Sequence, residues 1–353
     1  MYDIILSFIT AFTLTFFAIP SIINIADTKN LFDEPNARGS HKTPTPSLGG
    51  IGIFAGVIFS IVLWTPFHVF GDLQYVLCSF IIVFLIGAKD DILPMAPWKK
   101  VVGEVFAASI LVLKSNVKLT SLYGIFGVYD IPDILSIPLS IFVILVIINA
   151  FNLIDGINGL SGSISTLIAL ILGTWFYLTA HLEMAVVAFA LAGSTIAFLK
   201  YNFTPARIFM GDTGSLLVGL ICSILALQFI ELHRELEESR YAVKSVPAVA
   251  IGILILPLFD TGRVFLTRIV EGRSPISADR NHIHHLLIDC GFTHMQATAT
   301  LVIVNIIFIL LVFRLQHLGT YRLLILILLL ASGLTIILHF FRRRQRNRKV
   351  GHI

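Results

Sequence analysis

Runs of about 20 apolar residues recur along the whole chain, and they restrict its fold more than any other feature. A transmembrane helix needs on the order of 20 mostly apolar residues. Such windows lie at 3–24, 49–69, 73–89, 101–114, 134–152, 161–180, 184–199, 213–231, 246–262, 295–313 and 322–341. Charged residues make up only 13% of the chain, against roughly 25% in soluble domains. The sequence therefore predicts an all-α polytopic membrane protein with about 10–11 transmembrane helices.

The spacing of these runs leaves no room for a soluble domain of useful size. We expect a single transmembrane domain over residues 1–341 and a basic tail at 342–353. The first run has no Lys or Arg ahead of it, which favours a retained span over a cleavable signal peptide. The three cysteines, Cys78, Cys222 and Cys290, lie far apart, so neither a disulfide nor a zinc site is predicted.

Basic residues set the expected orientation, because Lys and Arg favour cytoplasmic loops. Of the 25 Lys and Arg residues, eighteen lie in one alternating set of loops and the tail, and seven in the other. The first set is predicted to be cytoplasmic. The N-terminus is then outside and the C-terminus is cytoplasmic, where the arginine-rich tail would meet anionic lipid.

Acidic, amide, glycine and histidine residues are concentrated in the loops on this cytoplasmic side. The stretches are SHKTPTPSLGG (40–50), GAKDDILPMAPWKK (87–100), FNLIDGINGLSG (151–162), KYNFTPARIFMGDTGS (200–215) and TGRVFLTRIVEGRSPISADRNHIHHLL (261–287). The opposite side has no such clusters, and its segment 117–133 reads as a hairpin. We therefore expect the functional site on the cytoplasmic face.

Four aspartates stand at the ends of apolar runs, where a charge inside hydrocarbon costs a few kcal/mol. The adjacent Asp90 and Asp91 either mark the interface beside Lys89 or help to bind a hard cation, since Mg²⁺ takes one or two carboxylates with water and phosphate oxygens. Asp155 and Asp212 each lie beside glycine, which lets backbone approach a ligand closely. Helix N-capping is the alternative for both. Their parallel placement favours a shared site.

The last cytoplasmic segment combines arginines with a histidine run. Its members are Arg268, Arg273, Arg280, His282, His284 and His285. Clustered histidines can bind metals, but imidazole prefers softer metals than Mg²⁺, whereas the planar guanidinium suits phosphate oxygens. An anion site is favoured. If this segment is helical, His282 and His285 share a face and His284 is structural.

Carboxylates suited to a metal and basic groups suited to a polyphosphate together indicate phosphoryl chemistry with one lipidic and one soluble partner. An ion-coupled secondary transporter is the alternative, because such carriers also contain intramembrane acids and broken helices. A carrier of that kind should show internal repeats, but the five polar stretches are mutually dissimilar. A non-catalytic scaffold gives no reason for the four acids, and the DGxxAR signature of CDP-alcohol phosphotransferases is missing from the sequence.

Five ordered motifs carry a resemblance to a known family. They are PTPSLGG, KDD, NLIDGINGL, PARIFMGDTGS and GRSPISADRNHIHHLL. The chain resembles the polyprenyl-phosphate N-acetylhexosamine-1-phosphate transferases, glycosyltransferase family 4. It is closer to the branch that begins surface glycans with N-acetylglucosamine than to the pentapeptide branch of peptidoglycan synthesis. The resemblance runs through nearly the whole chain.

The resemblance implies an enzyme of the bacterial cytoplasmic membrane that transfers a sugar-1-phosphate from a UDP-N-acetylhexosamine to undecaprenyl phosphate and releases UMP. It also implies Mg²⁺ or Mn²⁺ as cofactor, no nucleic-acid partner, and relatives that are often homodimers. The implied metal ligand is Asp212, and the implied catalytic acids are Asp90, Asp91 and Asp155. The implied substrate-binding residues are Asn152, Asn158, Asn202, Phe209, Arg268, Arg273, His282, His284 and His285, with Phe209 stacking on uracil.

One position departs from the family pattern. Many members have Asp where this chain has Asn158, and that acid accepts from the uracil N–H. Asn keeps a carbonyl acceptor but loses the charge, which would weaken this contact. The resemblance leaves two mechanisms open, direct attack by the lipid phosphate and double displacement through a phospho-aspartate. Direct attack is the simpler expectation, and no residue identifies the sugar or the polymer made from it.

Overall fold

A computed structural model describes residues 1–32, 44–236, 239–273 and 281–350, with side chains given through residue 345. These residues form thirteen α-helices and one small hairpin. The helices are α1 (Tyr2–Lys29), α2 (Gly49–Trp64), α3 (Leu73–Ile92), α4 (Pro97–Lys114), α5 (Asp133–Ile154), α6 (Leu160–Leu178), α7 (Leu182–Asn202), α8 (Gly211–Leu232), α9 (Val246–Ile253), α10 (Ile255–Val270), α11 (Ile283–Asp289), α12 (His294–Leu315) and α13 (Thr320–Val350). The strands are β1 (Ser121–Ile125) and β2 (Val128–Asp130).

Each predicted apolar run is wholly or mostly helical, and the run 49–69 leaves its α-helix after Trp64. This confirms the all-α polytopic class. Within the described ranges, seven helices are long and apolar enough to cross a membrane, or eight if one bent pair counts as a single span. The figure of about 10–11 spans and the orientation remain predictions. The basic segment that begins at Arg342 continues α13 without a break.

Helix α8 is the most central element. It packs against α2, α3, α5, α6, α7 and α9, and its middle residues are fully buried. Small residues permit this close packing, as is common between membrane helices. A Cβ on Gly50 of α2 would collide with the backbone of Gly214, and one on Gly87 of α3 would lie 2.5 Å from Cα of Thr213. These contacts bring the first turn of α8 against both helices.

The helices alternate in direction, so the polar loops collect at one end of the bundle. We call this end the site face: it carries the last turns of α3, α5 and α7 and the first turns of α4, α6 and α8. The predicted hairpin is confirmed at the other end, which we call the hairpin face. There β1 and β2 pair antiparallel, and the Tyr123 hydroxyl donates to the carbonyl of Ile230 near the end of α8 (2.6 Å).

One apolar window, 246–262, is a broken helix. Helices α9 and α10 meet at Leu254 with a bend of 84°. The side chain of Asn305 on α12 lies at this break: its oxygen accepts from the amide of Leu256 (3.3 Å) and its amide donates to the carbonyl of Ile253 (3.2 Å). A break inside an apolar bundle leaves backbone groups that need such partners. Asn305 thereby supports the turn that directs α10 toward the histidine segment.

Candidate active site

The carboxylate of Asp91 caps the first turn of α8. Its oxygens accept from the amide of Asp212 (2.7 Å), from the amide of Thr213 (2.9 Å) and from the Thr213 hydroxyl (2.5 Å). The first amides of a helix have no partner within the helix, and an anion there is favoured by the helix dipole. Asp91 therefore ties the end of α3 to the start of α8. Asp212 caps no helix in the described part of the chain; its oxygens contact Lys100 and Asn152 instead, so helix capping does not explain its position.

The turn into α8 requires glycine. Gly211 has φ of 70°, and a Cβ there would lie 2.6 Å from Oδ2 of Asp91 and collide with the carbonyl of Ser47. The PTPSLGG motif lines the other side of this turn: the amide of Phe209 donates to the carbonyl of Pro46 (2.8 Å), and the amide of Gly49 donates back to the carbonyl of Phe209 (2.9 Å). The motif thus fixes the segment that carries Phe209 and Asp212.

Asp212 and Asn152 meet above the first turn of α8. The Asn152 amide, in the last turn of α5, donates to Oδ1 of Asp212 (3.1 Å) and to the Ser215 hydroxyl (3.0 Å). The other oxygen of Asp212 pairs with the ammonium of Lys100, which also lies 2.5 Å from Oδ2 of Asp90. Asp90 accepts in addition from the amide of Met95 (2.5 Å). Two carboxylates from α3 and α8 therefore share one cation.

Asp155 follows the last residue of α5 and lines the cavity together with Asp91, Asn152, Phe209 and Asp212. The cavity holds about 190 Å³. Burial raises the pKa of Asp155 to about 8, and the negative charges of Asp212 and Asp91 add to this effect. A nearby cation would oppose both causes. The ionised form of Asp155 is therefore unfavourable unless a positively charged group binds nearby.

Two asparagines that were expected to bind nucleotide, Asn158 and Asn202, form hydrogen bonds that connect the loops of the site face to one another. The Asn202 oxygen accepts from the amide of Gly159 (2.6 Å), and its amide donates to the carbonyl of Ile208 (2.8 Å). The Asn158 amide donates to the Thr204 hydroxyl (2.9 Å). The Asn158 side-chain oxygen is buried and accepts no hydrogen bond from any described residue. This acceptor is the one that the family resemblance assigns to the uracil N–H.

The histidine segment packs beside the loop between α5 and α6. Its first histidine, His282, lies outside helix α11. His282 is the residue before α11 and has an extended backbone, so the premise that His282 and His285 share a helical face is wrong. Its ring stacks with that of His284 (5.7 Å between centroids), and the His285 ring is 4.2 Å from His284. The ring of His282 accordingly faces its next-but-one neighbour.

His284 is buried against the loop that carries Asp155. Its exposed fraction is 1%, neither ring nitrogen has a hydrogen bond to any described residue, and a Cβ on Gly156 would collide with its Nε2. Burial lowers the pKa of His284 to about 3, and the neighbouring His285 adds to this effect. The ring is therefore neutral at physiological pH, and both the structural role and the substrate-binding role of His284 remain predictions.

The remaining predicted site residues lie on or after α10. Arg268 is buried, with its guanidinium 6.0 Å from the Phe265 ring centroid. Arg273 is exposed and pairs with Glu271 (3.1 Å). Neither lines the cavity beside Asp155. Arg280 lies outside the described residues.

Several residues of the site were not singled out from the sequence. Asp260 on α10 accepts from Nδ1 of His282 (3.0 Å), from the amide of Ile283 (3.0 Å) and from Arg263 (2.8 Å). Glu104 on α4 is buried and accepts from the amide of Asn149 (2.7 Å). Both acids lie inside predicted apolar windows, and an ionisable residue there is itself a signal of function.

The sequence predicted that the aspartates of the site face bind Mg²⁺. Among the described residues, no three His, Cys, Asp or Glu side chains are grouped as a metal cage. Mg²⁺ is usually held by one or two carboxylates, with water and substrate phosphates completing its shell. Asp212 and Asp90 already enclose a cation, the ammonium of Lys100. The donor set thus suits Mg²⁺ bound together with a phosphate substrate.

Comparison with known proteins agrees with these motifs. The family described as glycosyl transferase family 4 matches residues 73–230, which run from the start of α3 to near the end of α8 and contain three of the five polar stretches. A Salmonella typhi protein named undecaprenyl-phosphate alpha-N-acetylglucosaminyl 1-phosphate transferase is 29% identical over 275 residues, covering 76% of this chain and 71% of the relative.

Two further relatives have similar names. An Escherichia coli O157:H7 protein with the same name is 28% identical over 281 residues, covering 77% of this chain and 73% of the relative. A Mycobacterium leprae decaprenyl-phosphate N-acetylglucosaminephosphotransferase is 28% identical over 311 residues, covering 82% and 77%. The match to glycosyl transferase family 4 covers the loops that build the cavity, and these relatives agree with the family resemblance carried by the motifs.

Proposed function

We propose that this protein transfers N-acetylglucosamine-1-phosphate from UDP-N-acetylglucosamine to undecaprenyl phosphate and releases UMP. The observation that carries the proposal is the position of Asp212 at one face of an apolar helix bundle, where it shares the Lys100 ammonium with Asp90 and lines one cavity with Asp155. Such a position serves a lipid acceptor and a soluble donor together. The names of the relatives supply the sugar and the class of acceptor.

In the proposed reaction, an oxygen of the lipid phosphate attacks the β-phosphorus of the donor. The bond from that phosphorus to the bridging oxygen breaks, UMP leaves with the electron pair, and a lipid diphosphate sugar forms. Phosphoryl transfer depends mainly on alignment and on stabilisation of charge. Asp212 and Asp90 would hold Mg²⁺, which when bound supplies positive charge for the donor diphosphate.

The remaining acids differ in what they can do. Both oxygens of Asp91 are engaged by the start of α8, so we assign Asp91 a positioning role. Asp155 does not hold the metal in this scheme, so it is the acid that can accept the proton of the lipid phosphate. Direct attack needs no free nucleophilic carboxylate, and we favour it for that reason. An ion-coupled carrier is not favoured, because the relatives are named as transferases.

The test is UMP release by purified protein in detergent with undecaprenyl phosphate, Mg²⁺ and a panel of UDP-N-acetylsugars. We expect lipid- and metal-dependent UMP with UDP-N-acetylglucosamine preferred. Asp212→Ala and Asp155→Asn should each lose most of this activity. Asp27→Asn, at an exposed acid near the end of α1, is the matched control and should keep it. Folded protein that releases no UMP with any sugar would refute the proposal.

A further inference from the structure

The ammonium of Lys100 lies between the acids of α3 and α8, where a bound cation would be expected. Its ammonium contacts Oδ2 of Asp212 and lies 2.5 Å from Oδ2 of Asp90. The three side chains are between 13% and 24% exposed, so the cluster is partly shielded from water. The adjacent Lys99 differs: its ammonium lies 5.7 Å from the Trp98 ring centroid, and its side chain is exposed.

The charges around this lysine are unbalanced without it. Among the described residues, Lys100 is the one basic side chain in an ion pair with any of the four acids Asp90, Asp91, Asp155 and Asp212. Glu104 lies one helical turn further along α4, on the same face as Lys100, and adds another carboxylate. Like charges in a partly desolvated site repel strongly. Lys100 therefore acts as the counter-ion of the acids.

The same two oxygens cannot hold the ammonium and a divalent cation together. A divalent cation held by Asp90 and Asp212 would lie beside the ammonium, which already contacts one oxygen of each, and two positive charges that close would repel each other. The aliphatic stem of Lys100 is long and flexible, so its ammonium can leave without movement of α4.

We propose that Lys100 competes with the divalent cation for the pair Asp90–Asp212 and thereby sets the metal affinity of the site. Lys100 holds the two acids in place before the metal binds and leaves them as it binds. The inference rests on the proposed function, in which Asp212 is a metal ligand. It adds that the metal must displace a resident positive charge, so that metal alone binds more weakly than the acids would otherwise allow.

The experiment measures binding of Mn²⁺ alone by electron paramagnetic resonance, using purified full-length protein without substrates. Lys100→Met removes the charge and keeps an apolar stem, and we expect it to bind Mn²⁺ about fivefold more tightly or better, from the Coulomb energy of one charge at contact distance. Lys100→Arg keeps the charge and should change the affinity by less than about twofold. Lys99→Met is the matched control and should bind as the parent protein does.

Three outcomes would overturn the inference: unchanged Mn²⁺ affinity in Lys100→Met, weaker affinity in that variant, or equal tightening in Lys100→Arg. Lys100→Gln provides a second neutral variant if the methionine variant does not fold, judged by circular dichroism and monodisperse elution.

An Asp212→Asn variant distinguishes failure of the competition by Lys100 from failure of the proposed function. Retention of full Mn²⁺ binding in Asp212→Asn would refute the metal assignment itself. Loss of binding there, together with no tightening in Lys100→Met, would refute the competition alone.

Discussion

Asp90 and Asp91 are neighbours in sequence, but the structure gives them different tasks. Asp91 accepts three hydrogen bonds from the first turn of α8, and Asp90 pairs with Lys100. A charge-assisted bond to a helix N-terminus contributes on the order of 1–2 kcal/mol, whereas a partly exposed ion pair contributes about 0–1 kcal/mol. The adjacent carboxylates are therefore not interchangeable.

The variants Asp91→Asn and Asp90→Asn should therefore differ in stability. Asp91→Asn should lower the free energy of unfolding by about 1–2 kcal/mol, because an NH2 group would replace one of the two oxygens that accept from the first turn of α8. Asp90→Asn should leave stability nearly unchanged and lose activity. Thermal unfolding in detergent and UMP release measure the two effects. Equal loss of stability in both variants would contradict the capping role of Asp91.

The buried ring of His284 predicts a dependence of stability on pH. Its pKa is lowered to about 3 in the folded protein, against about 6.5 in an unfolded chain. Between these values the unfolded state binds the extra proton, so stability falls as the pH decreases from about 6.5 toward 3. At pH 5 the loss from this group should be about 2 kcal/mol.

The comparison is between thermal midpoints at pH 7.5 and pH 5. The parent protein should lose more stability over this range than His284→Asn does. His317→Asn changes an exposed histidine at the hairpin face and should behave as the parent protein. Identical pH dependence in parent and His284→Asn would show that His284 does not titrate in this way.

Among the elements, the broken pair α9 and α10 depends on one side chain from a third helix. Asn305 is fully buried and bonds to backbone groups on both sides of the break. An unsatisfied buried polar group costs about 1–3 kcal/mol. Because α10 carries Asp260 and Arg268, the angle of the break also determines where these two residues lie.

Asn305→Leu has nearly the same size but cannot form either bond. We expect a loss of about 2 kcal/mol in stability and reduced turnover, measured by thermal unfolding and UMP release. Ile306→Leu, at the neighbouring and more exposed position, should change neither. If Asn305→Leu is as stable and active as the parent protein, the break is maintained by packing alone.

For the whole molecule, the two faces differ in a way that can be tested in cells. The site face carries the acidic loops, and the hairpin face carries β1 and β2 at the far end of α8. The positive-inside rule predicts that the site face is cytoplasmic. Phe126 at the hairpin tip is 84% exposed, and Trp98 at the site face is 65% exposed, so both positions suit a reporter.

A cysteine placed at each position gives opposite predictions. Phe126→Cys should react with a membrane-impermeant maleimide in intact spheroplasts, and Trp98→Cys should react only after the membrane is permeabilised. The parent protein, with its native Cys78, Cys222 and Cys290, provides the background labelling. The reverse pattern would show that the orientation inferred from Lys and Arg is wrong.

Much of this protein could be predicted from the order of its residues. The apolar runs predicted the helices, because length and hydropathy are local properties of the chain. The acids and glycines at the ends of these runs predicted a shared site, because alternating helices bring every second loop to one face. The motifs indicated the family resemblance because each motif is a continuous stretch of sequence.

The tertiary structure alone decided which side chains meet. Hydrogen bonds between residues far apart in sequence depend on helix packing, so the capping of α8 by Asp91 and the sharing of Lys100 by Asp90 and Asp212 could not be derived from spacing. The place of His282 before α11 likewise depends on Asp260, 22 residues earlier. Local sequence determines the elements and their chemistry, whereas long-range packing determines the electrostatic neighbours of each charge.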